Sequence, residues 1–218
     1  MIVTIDGPAG AGKSSMAQRL AERLGFRFLD TGALYRAVAL AGIRAGVDWS
    51  DPSALADVAR RTRIEIDSER VLLDGDDVSS EIRSEEVTRR VRYAADNVEV
   101  RQLLGQRQRD FAQGGDLVTE GRDQGTDVFP QAECKIFLTA SPEERARRRV
   151  QDLAERGYEA SYDEILRQQN KRDQQDASRK VGALVRADDA VELCTDRLSP
   201  EQVVDRLVEI VRSKQAGG

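Results

Sequence analysis

Read for its succession of apolar and polar positions, the chain opens with a mostly apolar run over residues 2–5, interrupted only by Thr4, that ends on Asp6, the pattern of a buried strand. A glycine-rich turn follows. Apolar positions then recur at helical spacing over residues 13–24, until Gly25 stops the pattern. Residues 26–29 read as a second short strand, 30–32 as a turn, and 33–45 as a helix that ends before Gly46. Ser50 or Asp51 caps a further helix, with Pro52 in its first turn. The period then changes. Residues 62–67 and 70–74 alternate with period two around Ser68 and Glu69, which predicts a solvent-facing hairpin followed by a turn at 74–76. Charged helices are predicted over 85–95 and 97–112.

The strand–helix rhythm returns after Gly114 and Gly115. Strands are expected at 117–119 and 135–139. Ser141 caps a very basic helix over 142–156, stopped by Gly157, and another helix covers 163–170. Residues 191–194 form a last strand, Ser199 and Pro200 start the final helix, and 215–218 read as a frayed tail. Strand–helix alternation predicts an α/β fold, a parallel sheet with helices on both faces, carrying one small antiparallel insertion. The 218 residues suit one such domain with a lid. No internal repeat or low-complexity linker is present. No apolar run reaches about 18 residues, so no membrane span is expected. The first strand lacks a basic segment before it and does not read as a signal peptide.

Composition narrows the chemistry. The chain has no histidine, which excludes imidazole bases, Ser-His triads and His-ligated metals. Catalysis must then run on Lys, Arg, carboxylates and bound cations. The net charge of −5 argues against a nucleic-acid partner, yet 29 of the 34 basic residues are Arg, the better planar fork for phosphate oxygens. Cys134 and Cys194 give neither a disulfide framework nor a zinc site; two reduced thiols in buried or half-buried strands imply a cytosolic setting.

One segment fixes the ligand class. Gly7-Pro8-Ala9-Gly10-Ala11-Gly12-Lys13-Ser14 fits G-x-x-x-x-G-K-[ST], between a strand and a helix as the motif requires. Glycines let successive backbone N–H groups converge on one concavity, and the helix N-terminus adds positive potential. ATP or GTP binding is expected across Gly7 to Ser15, with Lys13 on the β- and γ-phosphates and Ser14 on Mg²⁺. Asn170-Lys171-Arg172-Asp173 matches the guanine-reading N-K-x-D of switch GTPases. Here it follows a polar helical stretch instead of a buried strand, and the chain contains no D-x-x-G, so it is read as coincidence. The basic helix supports two readings: a lid whose Arg145, Arg148 and Arg149 meet ATP phosphates, or a solvated face pairing with Glu143, Glu144 and Asp152.

Taken together, these residues resemble the bacterial cytidylate kinases, within the nucleoside monophosphate kinases of the P-loop class. The resemblance covers essentially the whole chain. It rests on Asp30-Thr31-Gly32-Ala33-Leu34-Tyr35-Arg36, Glu120-Gly121-Arg122-Asp123-Gln124-Gly125-Thr126, Val128-Phe129-Pro130, Lys135-Ile136-Phe137-Leu138, and Arg172-Asp173 through Asp176 to Arg179, together with the hairpin insertion. It implies transfer of the γ-phosphoryl group of ATP to CMP or dCMP. In the rival readings the acceptor is another molecule such as UMP, or the chain is a nucleotide-sensing module without turnover.

The resemblance also implies roles. Arg36 and Arg122 would grip the acceptor phosphate, and Arg101 and Asp123 would read the cytosine edge, Asp123 accepting from the exocyclic amine. Asp176 would accept from the ribose hydroxyls, Arg179 would help hold the acceptor, and Arg172 would sit near the transferring phosphoryl group beside Lys13. Thr31 and Tyr35 would line the acceptor pocket. Asp30 and Glu120, at predicted strand ends, would join Ser14 at Mg²⁺. The alternatives are a helix cap for Asp123 and an i, i+4 ion-pair face for the Arg172–Arg179 cluster. One departure stands out: where the family has a small Ser or Thr after a Val ahead of Arg101, this chain has Val91-Arg92. The expected division is a core of 1–34, 113–143 and 180–218, an acceptor-binding region of 35–112 and a lid of 144–179. The expected partners are ATP and CMP or dCMP, bound by a monomer, with neither nucleic acid nor membrane involved.

Overall fold

The computed structural model describes residues 1–66, 70–155 and 157–216. It separates into two compact units, residues 1–26 with 117–218 and residues 27–116.

The first unit is built on parallel strands. β1 (Ile2–Asp6) holds the centre, with residues Val3 to Asp6 all buried. It pairs on one side with β6 (Leu117–Gly121) and on the other with β7 (Cys134–Thr139), which pairs in turn with β8 (Val191–Cys194). α1 (Lys13–Leu24) follows β1 and buries Met16, Ala17, Leu20 and Ala21, spaced for one helical face. Gly25, in the left-handed region, closes it as expected. α8 (Pro200–Ala216) buries Val203, Val204, Leu207, Val208 and Val211, and Asp205 joins it to α1 through Arg23 at 3.2 Å. α6 (Pro142–Glu155) and α7 (Tyr162–Ala177) pack against each other.

Three expectations change here. β6 runs two residues past its predicted end, so Glu120 and Gly121 are laddered to Ile5 and Asp6. α7 continues to Ala177, seven residues beyond its predicted end at 170. The extension is rich in Gln, Lys and Arg, which favour helix, and its Asp173 and Asp176 are anchored by Arg145 and Arg122. Both cysteines are free, as expected; Cys134 is buried, while Cys194 lies exposed on β8, outside the expected buried or half-buried setting.

The second unit contains β2 (Arg27–Asp30), α2 (Thr31–Arg44), α3 (Pro52–Arg61), α4 (Glu85–Asp96) and α5 (Val98–Ala112). α2 starts two residues before its predicted beginning, because the Asp30 carboxylate accepts from Ala33 N–H at 3.1 Å and caps it. Its Ala37 and Leu40 pack with Val71, Leu73, Val78, Ile82 and Val87 into one apolar cluster. The insertion is a three-strand meander: β3 (Ile64–Ile66), β4 (Val71–Leu73) and β5 (Asp76–Asp77), with Ile64 opposite Leu73 and Leu72 opposite Asp77. The Asp74-Gly75 turn between the last two has φ of 52° and 97°, the two left-handed residues of a type I′ hairpin. The turn expected at Ser68 and Glu69, and Arg156 of the basic helix, lie outside the described residues. Among the described residues no helix is long and apolar enough to cross a membrane.

Candidate active site

The glycine loop leaves β1 at Asp6 and enters α1 at Lys13. Its first glycine is sterically obligatory: a Cβ on Gly7 would lie 2.0 Å from the Leu138 carbonyl oxygen. Gly12 takes φ 87° at the N-cap, and no side chain caps α1. The first amides of the helix are thereby left for an anion.

Lys13 is 5 % exposed, and its ammonium donates to the Pro8 carbonyl at 2.9 Å. Burial, reinforced by the Arg122 and Arg172 guanidiniums and opposed by Glu120 and Asp6, brings it down to about 7. Burial is the main cause, so an anion that contacts this ammonium restores its charged form. Next to it, the Ser14 hydroxyl donates to Glu120 Oε1 at 2.9 Å. A hydroxyl and a carboxylate together are hard oxygen donors that fit Mg²⁺. Among the described residues no group of three or more acidic, Cys or His side chains forms a metal nest. The remaining ligands would be phosphate oxygens and water, the usual habit of Mg²⁺.

Beyond β6 lies an arginine–aspartate cluster. Asp176, almost fully buried, receives Arg122 Nε at 2.8 Å on one oxygen and Arg179 Nη2 at 2.7 Å on the other. Burial alone would raise this carboxyl, but the two guanidiniums outweigh it and hold it below the usual carboxylate range. Arg122 also reaches the Gly121 carbonyl at 3.1 Å. Arg172 is exposed on the same helix. Asp123 is 4 % exposed and stands ahead of a π-helical turn over Gln124–Val128, but its side chain makes no capping bond there.

Within the second unit, Thr31, Tyr35 and Arg36 occupy the first turns of α2. Arg36 is half-buried and donates to Thr88 Oγ1 at 2.9 Å and to the Ile82 carbonyl at 3.3 Å. Arg101, 7 % exposed on α5, lies 5.6 Å from the Tyr35 ring centroid and donates to the Ala95 carbonyl at 3.1 Å. Asp30, expected at the metal, is engaged as the α2 cap, with Arg83 at 3.7 Å. Arg92 is exposed on α4 and contacts the Tyr93 hydroxyl at 3.1 Å.

The basic helix divides its arginines. Arg147 and Arg148 both bind Glu144 at 2.8 Å and hold its carboxyl down at about 2; Arg149 binds Asp152 at 2.7 Å. Arg148, expected on ATP, also donates to the Thr195 carbonyl at 2.8 Å. Arg145 turns inward and is buried, which the i, i+4 reading of a common face with Arg149 did not foresee.

Asp6 is a site residue that pattern reading passed over. It accepts from Gln124 N–H at 2.9 Å and Gly125 N–H at 2.7 Å, tying the first loop to the turn after Asp123. Burial, only partly offset by those two amides, pushes its carboxyl up to about 6. The available signal was a carboxylate closing a mostly apolar strand directly before the glycine loop.

A glycine-rich loop on a parallel sheet, with a buried lysine and an uncapped helix behind it, defines a P-loop phosphotransferase. The cytidylate kinase family model matches residues 3–213, and the chain belongs to that family. Among curated relatives, a cytidylate kinase of Rhodopirellula baltica is 52 % identical over 212 residues, covering 97 % of this chain and 93 % of that one. One from Caldanaerobacter subterraneus is 45 % identical over 215 residues, covering 99 % and 96 %. A bifunctional pantoate ligase/cytidylate kinase of Prochlorococcus marinus is 44 % identical, covering 98 % of this chain and 42 % of its own. Among solved structures, TT1252 from Thermus thermophilus superposes with a TM-score of 0.50 at 20 % identity over 98 % of this chain and 97 % of that one, a likeness of fold.

Proposed function

We propose that this protein transfers the γ-phosphoryl group of ATP to CMP or dCMP, giving ADP and CDP or dCDP. The observation that carries the reading is the depressed lysine. Lys13 sits desolvated at the glycine loop with the Ser14–Glu120 pair beside it, so an arriving polyanion restores the charge that burial disfavours. Phosphoryl transfer needs positioning and charge neutralisation far more than a strong base, which suits a chain with no histidine.

The loop amides and Lys13 bind the donor triphosphate. Ser14 and Glu120 would hold Mg²⁺, which would supply charge neutralisation to the bound phosphates. Arg122, held by Asp176, presents its fork to the acceptor phosphate, with Arg172 near the phosphoryl group in transit. Asp176 and Arg179 hold the ribose side, and Asp123 accepts from the cytosine amine, a donor that uracil lacks. From the second unit, Arg36 contributes to acceptor-phosphate binding, Arg101 to base reading, and Thr31 and Tyr35 to the pocket lining. Residues 144–179 act as the lid, 35–112 as the acceptor-binding region and the remainder as the core. The protein works as a cytoplasmic monomer on free nucleotides.

The test is ADP release with CMP, dCMP, UMP, AMP and shikimate as acceptors. CMP or dCMP is expected to exceed the others by at least about tenfold in kcat/KM. Equal rates across the panel would end the cytidylate reading, and tight ATP binding without turnover on any acceptor would make the protein a sensor.

A further inference from the structure

We propose that Arg145 and Asp173 are positioning residues that lock the phosphate loop to α7, the lid helix bearing Arg172 and Asp176. The inference rests on the phosphoryl-transfer reading above, but neither residue belongs to the binding constellation assigned there.

Arg145 is 3 % exposed, unlike its neighbours Arg147 and Arg149, and its guanidinium is spent on three different segments. Nε donates to the Ala140 carbonyl at 3.1 Å, Nη1 to the Ala9 carbonyl at 2.8 Å, and Nη2 meets Asp173 Oδ2 at 2.6 Å. The first contact lies just past the end of β7, the second inside the glycine loop, and the third on α7. A planar fork with fixed donor directions can hold three acceptors in one relation; an ammonium cannot.

Two consequences follow from this geometry. A trans peptide is planar, with its C=O and N–H pointing opposite ways. Holding the Ala9 oxygen on Arg145 therefore turns the Gly10 N–H to the far side of that peptide, and so orients one of the amides available to a phosphate. On α7, Asp173 directly follows Arg172 and precedes Asp176 by three residues, on nearly the same helical face. Pinning Asp173 sets the rotation of α7 about its axis, and with it the placement of Arg172 and of Asp176, which in turn holds Arg179 at 2.7 Å.

The junction is packed without slack. Gln169, one turn before Asp173, donates from Nε2 to the Arg145 carbonyl at 3.3 Å. A Cβ built on Gly10 would stand 3.1 Å from that same nitrogen and 3.6 Å from Arg145 Cβ. Among the described residues the buried Asp173 Oδ1 has no hydrogen-bond partner, and Arg145 holds the other oxygen of this carboxylate.

The experiment compares Arg145→Lys, Arg145→Met, Asp173→Leu and the double variant Arg145→Met/Asp173→Leu. Tm, ATP affinity by direct titration, and kcat and KM for ATP and CMP are measured for each. Each Arg145→Met or Asp173→Leu single variant strands a buried charge and should lower Tm. The double variant removes both charges and should recover most of that Tm. If the pair positions the site, the double variant still loses about 100-fold in kcat, because a misplacement of about 1 Å costs that much. Arg145→Lys, which keeps the charge and loses the fork, should fold and still lose about tenfold in kcat, with KM for CMP rising as Asp176 shifts. Recovery of kcat together with Tm in the double variant, or full activity in Arg145→Lys, would overturn the proposal. Turnover by the wild-type protein is a separate readout of the phosphoryl-transfer reading, and ATP affinity across the variants tests the loop tie whichever acceptor is used.

Discussion

Asp176 and Arg122 face each other at 2.8 Å across 54 residues of sequence, and the aspartate's second oxygen is held by Arg179 at 2.7 Å. The carboxylate fixes the fork proposed for the acceptor phosphate and is itself proposed to bind ribose. Asp176→Asn keeps the shape and removes the charge. It should raise KM for CMP by about tenfold or more while leaving KM for ATP nearly unchanged. The loss should be larger for CMP than for dCMP, which has one hydroxyl fewer to present. Parallel loss for both acceptors, measured as kcat/KM, would remove Asp176 from ribose recognition.

Asp123 is buried at 4 % exposure and its side chain does not cap the turn that follows it, so the proposed base-reading role is the one to test. Asp123→Ala should narrow the preference for CMP over UMP by about tenfold, with ATP affinity retained. Steady-state kinetics with both acceptors decides this, and equal losses for the two would contradict base reading.

Lys13, brought down to about 7 by burial and its cationic neighbours, is largely neutral at pH 8 in the free protein. An arriving triphosphate favours the charged form, so binding must take up a proton, close to one (about 0.9) per ATP at pH 8. Titration calorimetry in buffers of different ionisation enthalpy measures this number. A buffer-independent heat would show that Lys13 is already charged.

Asp6 gives a pH signature of the opposite origin. Its carboxyl is raised from 3.8 to about 6, so between those values the folded protein keeps a proton that the unfolded chain releases. More protons are bound in the folded state there, and this group's contribution to stability falls as pH rises, by about 3 kcal/mol in total. Asp6→Asn cannot titrate. The wild-type Tm minus the variant Tm should shrink between about pH 4 and 6 and stay level above. A constant difference would mean that the carboxyl ionises normally in the fold.

The phosphate loop, the parallel strands and most helices were legible in the chain because each is set by short-range rules: buried apolar runs, helical spacing, and glycine or Asp at the ends. The loop is the clearest case, since Gly7, Gly12 and Lys13 carry their own backbone and charge requirements within eight residues. Tertiary structure alone decided which arginine faces inward. Arg145, Arg147 and Arg149 look alike on a basic helix, and only the Ala9 carbonyl and Asp173, brought there by the chain's return through α7, make one of them a buried anchor. The same holds for the length of α7, which local sequence ended at residue 170 and long-range ion pairs carry to Ala177. For Asp6 the strand pattern marks the position, but the burial that suppresses its ionisation, and the Gln124 and Gly125 amides that hold it, come from the fold.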